Sequence, residues 1–112
     1  MSNIIRGTTP TLRFKIKKSN EYDLHAIEEC HITLENKPKD KKSSGRNTKV
    51  FDSPTYDYEN NIISIELTQE DTLDFEEGEI EMQIKAKFNN GRVVATPIMV
   101  TTMKKILEEA ML

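Results

Sequence analysis

The stretch EIEMQIKAKFNNGRVVATPIMV, residues 79–100, decides the fold. Ile80, Met82, Ile84, Ala86 and Phe88 alternate without a break against Glu79, Glu81, Gln83, Lys85 and Lys87. A period of two places one set on a buried face and the other in water, which is the pattern of a strand rather than a helix. Asn89, Asn90 and Gly91 supply residues that tolerate positive φ, and VVATPIMV returns antiparallel. Pro97 has no N–H for a ladder, so the return is expected to carry a free edge or a bulge there.

The same period recurs on both sides of this hairpin. Leu12, Phe14 and Ile16 alternate with Arg13, Lys15 and Lys17, and Cys30, Ile32 and Leu34 alternate with His31, Thr33 and Glu35. A short strand is expected at KVFDS, a turn region at SPTYDYENN, and a further strand with Ile63, Ile65 and Leu67 on one face. Asn61, beside Asn60, suits a tight turn. Thr68 is placed to cap one helical turn whose exposed N-terminal amides favour Glu70 and Asp71, and Gly78 releases the chain into the next strand. Residues 36–49, NKPKDKKSSGRNTK, hold no apolar side chain and are expected to form a mobile basic loop.

At the end the period changes. Met103, Ile106, Leu107, Ala110 and Met111 share one face of a helix expected over residues 104–112. Its Lys104–Glu108 and Lys105–Glu109 pairs put the base first, the weaker orientation, so the helix must dock on its own domain or on another chain. About six short strands with tight turns make a single β-sandwich domain over residues 1–112, with a small barrel as the alternative.

Composition narrows the function classes. With 112 residues, 36% hydrophobic and 31% charged, the chain fits one modest core, and a formal charge of −3 argues against general affinity for nucleic acid. The basic loop, with Lys37, Lys39, Lys41, Lys42, Arg46 and Lys49, lacks an aromatic residue to stack on bases. Cys30 is the only cysteine, which excludes an internal disulfide and suits a reducing compartment. No apolar run spans a bilayer and no signal peptide is visible at MSNIIRGTTP, so a soluble protein made in a cytoplasm is expected.

Candidate sites are few. Cys30 and His31 point to opposite faces of a strand, which defeats both a zinc site and a Cys–His nucleophile pair; no catalytic, metal or cofactor residue is expected. Glu70, Asp71, Asp74, Glu76, Glu77 and Glu79 form an acidic rim without a calcium-loop spacing. The expected partner-binding residues are Pro97, at a free strand edge, the helical face of Met103, Ile106, Leu107 and Met111, and the aromatic anchors Tyr56 and Tyr58, one of which core packing explains equally well.

The segments GTTPTLRFKI, YDLHAIEECHITLE and LTQEDTLDFEEGEIEMQIKAKF, followed by an Asn-Gly turn and VVATPIMVTTMKKIL, resemble immunoglobulin-like proteins of phage and prophage tail clusters in low-GC Gram-positive bacteria, and among them the N-terminal domains of baseplate upper proteins. Gly7 with Thr8, Asp23 with Leu24, and Gly78 through Ile84 carry the likeness. It implies an immunoglobulin-like antiparallel sandwich of about six to seven strands with a short C-terminal helix. It also implies a non-enzymatic virion component that assembles with itself or with other tail proteins. The alternative is a stand-alone sandwich binding a carbohydrate or protein ligand through the loops at one end.

Overall fold

The computed structural model describes residues 3–16, 23–38 and 48–108. Two antiparallel-built sheets face each other. One comprises β1 (Ile4–Ile5), β3 (Ile27–Pro38), β4 (Thr48–Phe51), β7 (Gly78–Phe88), β8 (Val93–Ala95) and β9 (Met99–Lys104); the other comprises β2 (Thr11–Lys15), β5 (Thr55–Asp57) and β6 (Ile62–Glu66). Strand order is β1-β9-β7-β3-β4, with β8 also on β7, against β2-β6-β5. The chain crosses between sheets before β2, β3, β5 and β7, and β1 lies parallel to the last strand. This is an immunoglobulin-like sandwich.

The alternation seen in the sequence is realised. Ile80, Met82, Ile84, Ala86 and Phe88 of β7 face inward, opposite Phe14, Ile63, Ile65 and Leu67 from the other sheet. Burying each of the Ile, Leu, Met and Phe side chains contributes about 1.5–3 kcal/mol relative to exposure, and the Ala86 methyl less. Cys30, Ile32 and Leu34 complete the layer on β3, which pairs with β7 along nearly its whole length.

Between β6 and β7 lies α1 (Gln69–Leu73), closed by a reciprocal cap. The Asp71 N–H donates to the Thr68 hydroxyl at 3.1 Å and the Thr68 N–H donates to the Asp71 carboxylate at 2.9 Å. The N-terminal crossing is stitched onto this helix. Arg6 Nε donates to the Phe75 carbonyl at 2.6 Å and Nη2 to the Leu73 carbonyl at 2.8 Å, while the Thr72 hydroxyl donates to the Thr8 carbonyl at 2.9 Å. Gly7 turns this corner at φ +76°, with Leu73 and Ile106 side chains against the space a Cβ would fill.

Several expectations are corrected. The return strand runs on through Met103 to Lys104, and residues 105–108 are not helical, so no C-terminal helix starts at 104; residues 109–112 lie outside the described residues. The reason is partner availability: Met103 and Lys104 find β1 on one side, and Met103 finds Gly78 of β7 on the other, a gain that base-first i,i+4 pairs do not match. The loop is shorter than 36–49, since residues 36–38 extend β3 and 48–49 begin β4; residues 39–47 lie outside the described residues. The turn region before β6 contains a strand, β5. With β8 and β9 counted as one interrupted strand, the described residues hold eight strands rather than six or seven. Among the described residues no helix is long and apolar enough to cross a membrane.

Candidate interaction flank

The β7–β8 turn is closed by the Gly91 N–H on the Phe88 carbonyl at 2.9 Å and the Phe88 N–H on the Arg92 carbonyl at 2.8 Å, with Gly91 at φ +86°. The ladder then runs Lys87↔Val93, Ala86↔Val94, Lys85↔Ala95 and resumes at Met82↔Met99. Thr96 bonds to Ile84, so Pro97 and Ile98 together stand against the single residue Gln83. This is a β-bulge, and it lies where Pro97 interrupts the return. Gln83 Nε2 donates to the Thr96 carbonyl at 2.8 Å, supporting the bulge from the side.

The outer side of this strand pair is unusual in its chemistry. From Val93 to Met103 there are eleven residues without a charge, in a chain that is 31% charged. Val93, Ile98 and Val100 are 55%, 59% and 49% exposed, and Pro97 is exposed between them. β1 covers this edge only at Met103 and Lys104; from Val93 to Val100 no strand pairs on that side among the described residues. Edge strands usually carry charges that discourage association.

Across a gap stands the edge of β2, which is also unpaired among the described residues. Between the two edges opens an apolar cleft of about 570 Å³, whose walls include Phe14, Ile16, Ile84, Phe88, Val94 and Pro97. Arg13 and Lys15 stand exposed along its β2 rim. The sandwich is therefore left unclosed along one flank among the described residues.

The residues expected to bind a partner divide. Pro97 lies on this flank. Met103 does not: it is fully buried in the core. Ile106 packs beside Gly7 and Leu107 is 96% exposed beyond β9, so Met103, Ile106 and Leu107 form no common face; Met111 lies outside the described residues. Tyr56 is the tyrosine that packing explains. It lies half-buried against the core and shares a side-chain hydrogen bond with Cys30; burial first, then Cys30, pushes its hydroxyl up to about 12. Tyr58 is exposed; it stacks on Tyr56 with centroids 5.9 Å apart and meets the His25 ring at a 32° tilt, centroids 4.2 Å apart.

Cys30 is buried and His31 turns outward to Glu29, Nε2 to Oε1 2.9 Å, so the expected opposition of the two holds. Burial pushes the Cys30 thiol up, away from the reactive thiolate. Within the acidic rim, Lys49 Nζ reaches Asp74 at 2.9 Å and Asp71 at 3.7 Å, which raises the lysine's pKa and latches β4 to α1. Among the described residues no group of three His, Cys, Asp or Glu side chains is placed to hold a metal ion.

In the sequence, Pro10 marks either the start or the edge of β2 without deciding between them. Arg13 and Lys15 read there only as the solvent face of a strand, because periodicity does not reveal which strands lack a neighbour. No protein family, curated protein or solved structure matches the chain.

Proposed function

We propose that this chain is a non-catalytic structural protein that acts through protein–protein assembly, a virion component of the phage or prophage tail and baseplate kind that its sequence resembles. The observation that carries the assembly reading is the uncharged, apolar and unpaired run from Val93 to Val100 beside an unclosed cleft. Partners are itself or other tail proteins. Light-scattering mass measurement of the full chain, alone across a concentration series and mixed with proteins encoded by the flanking genes, tests it. The account expects a complex that the Ile98→Lys/Val100→Lys double variant abolishes while its melting temperature is unchanged. A strictly monomeric chain that binds none of those proteins, or flanking genes without tail or baseplate character, counts against it.

A second reading, a stand-alone module for a carbohydrate or protein ligand, is favoured by the His25–Tyr58–Tyr56 group. Tyr58, the exposed tyrosine of this group, offers aromatic surface that suits a ligand with flat apolar parts. Saturable perturbation of Tyr58 resonances by a soluble oligosaccharide, lost in Tyr58→Ala, would favour it over assembly.

A further inference from the structure

We propose that the β2 edge accepts an extended segment of a partner protein as an added strand, one with acidic side chains at alternate positions and apolar side chains between them. The inference rests on the assembly reading and names the chemistry of its occupant.

Backbone alternation supplies the first argument. The Ile16 N–H donates to the Asn61 carbonyl at 2.9 Å, and the Leu67 N–H donates to the Pro10 carbonyl at 3.0 Å. Residues 10 and 16 therefore turn their polar groups toward β6, and by ladder alternation Thr11, Arg13 and Lys15 turn theirs away from it. No strand lies on that side among the described residues. The β2–β6 register runs unbroken from Thr11 to Lys15, without proline or bulge. The neighbouring edge, by contrast, is interrupted by Pro97 and the bulge, two features that blunt strand addition.

Side-chain chemistry supplies the second. A strand laid on β2 directs every other residue toward the cleft, whose lining joins the buried Phe14, Ile84 and Phe88 to the more accessible apolar side chains of Ile16, Val94 and Pro97. Its remaining residues fall beside Arg13 and Lys15, which have no ion-pair partner among the described residues. Opposite charges on adjacent strands attract and like charges repel. Carboxylates are thus selected on the outer face, and pairing of β2 with the β2 of a second copy is disfavoured because it would set Arg13 and Lys15 against themselves. Main-chain bonding with alternate side-chain pockets is a known way for one chain to complete another's sheet.

The test uses the full isotope-labelled chain and two synthetic capped heptapeptides, one alternating valine with glutamate and the other valine with lysine. Amide exchange at Thr11, Arg13 and Lys15 is read by NMR. The proposal expects the glutamate peptide to slow these amides by about tenfold when present at ten times its dissociation constant. It expects the lysine peptide to do so only in Arg13→Glu/Lys15→Glu, where the preference reverses. No slowing, equal slowing by both peptides, or protection mapped to Val93–Val100 overturns it. So does protection that grows with chain concentration alone, which would make a second copy the occupant. The assembly reading fails separately, through the mass measurement and the Ile98→Lys/Val100→Lys variant.

Discussion

Thr96 and Ile84 exchange two hydrogen bonds through different groups: the Thr96 N–H donates to the Ile84 carbonyl at 2.9 Å, and the Ile84 N–H donates to the Thr96 hydroxyl at 3.1 Å. The second bond replaces a ladder contact beside the break at Pro97. A side chain thereby holds the return strand on β7 where the backbone does not. Thr96→Val keeps the shape and removes the acceptor, so we expect a loss of about 1–2 kcal/mol in denaturant unfolding and faster amide exchange at Ile84. Unchanged exchange at Ile84 would show that the hydroxyl does not hold the bulge.

Asn36 is fully buried at the far end of β3 and grips the segment entering β7. Its Oδ1 accepts the Glu76 N–H at 2.9 Å, and its Nδ2 donates to the carbonyls of Glu76 and Glu79 at 3.1 and 3.4 Å. Asn36→Leu strands these groups without water. We expect about 2–4 kcal/mol of destabilisation, measured by chemical denaturation. A cost below that of an exposed substitution would mean the segment finds other partners.

Alkaline pH should weaken the fold. Tyr56, with its hydroxyl raised to about 12 from an ordinary value near 10, keeps its proton longer in the folded state. Its contribution is therefore complete below about pH 10 and lost as pH rises through about 12. Cys30, raised by burial, has the same sign and begins to count above about pH 8.5. Lys49, raised chiefly by its hydrogen bond to Asp74, also contributes below about pH 10.4 and is lost above its folded value. Melting temperature followed from pH 7 upward should fall steadily past about pH 9, and less steeply in Tyr56→Phe at the alkaline end. An identical slope in that variant would remove Tyr56 from the explanation.

Most of the scaffold was legible because alternation is local. The inward sets on β2, β3, β6 and β7 were each visible as apolar residues two apart, and the Thr68 cap announced α1. β5 was hidden because three residues with only Tyr56 facing inward make no period. Asn36 read as loop because a polar residue beside lysines gives no sign of the main-chain groups it will meet from forty residues away. The C-terminal helix was misread because the heptad-like spacing of Met103, Ile106 and Leu107 is real, but β1 and β7 claim Met103 through tertiary pairing. Of the candidate site, Pro97 and its bulge were foreseen from one residue's chemistry. The cleft was not, and the β2 edge was only one of two readings of Pro10, because which strands lack a neighbour is a property of topology.

The central claim is that two edges, unpaired among the described residues, face each other across an open flank. Residue-resolved amide exchange on the free chain measures it directly. The account predicts alternation on both edges: rapid exchange at Thr11, Arg13 and Lys15 against slow exchange at Phe14 and Ile16, and rapid exchange at Val93, Ala95 and Val100 against slow exchange at Val94, Thr96 and Thr101. Uniform slow exchange along either edge in the dilute free chain would show the flank already closed by the chain itself, and would contradict the account.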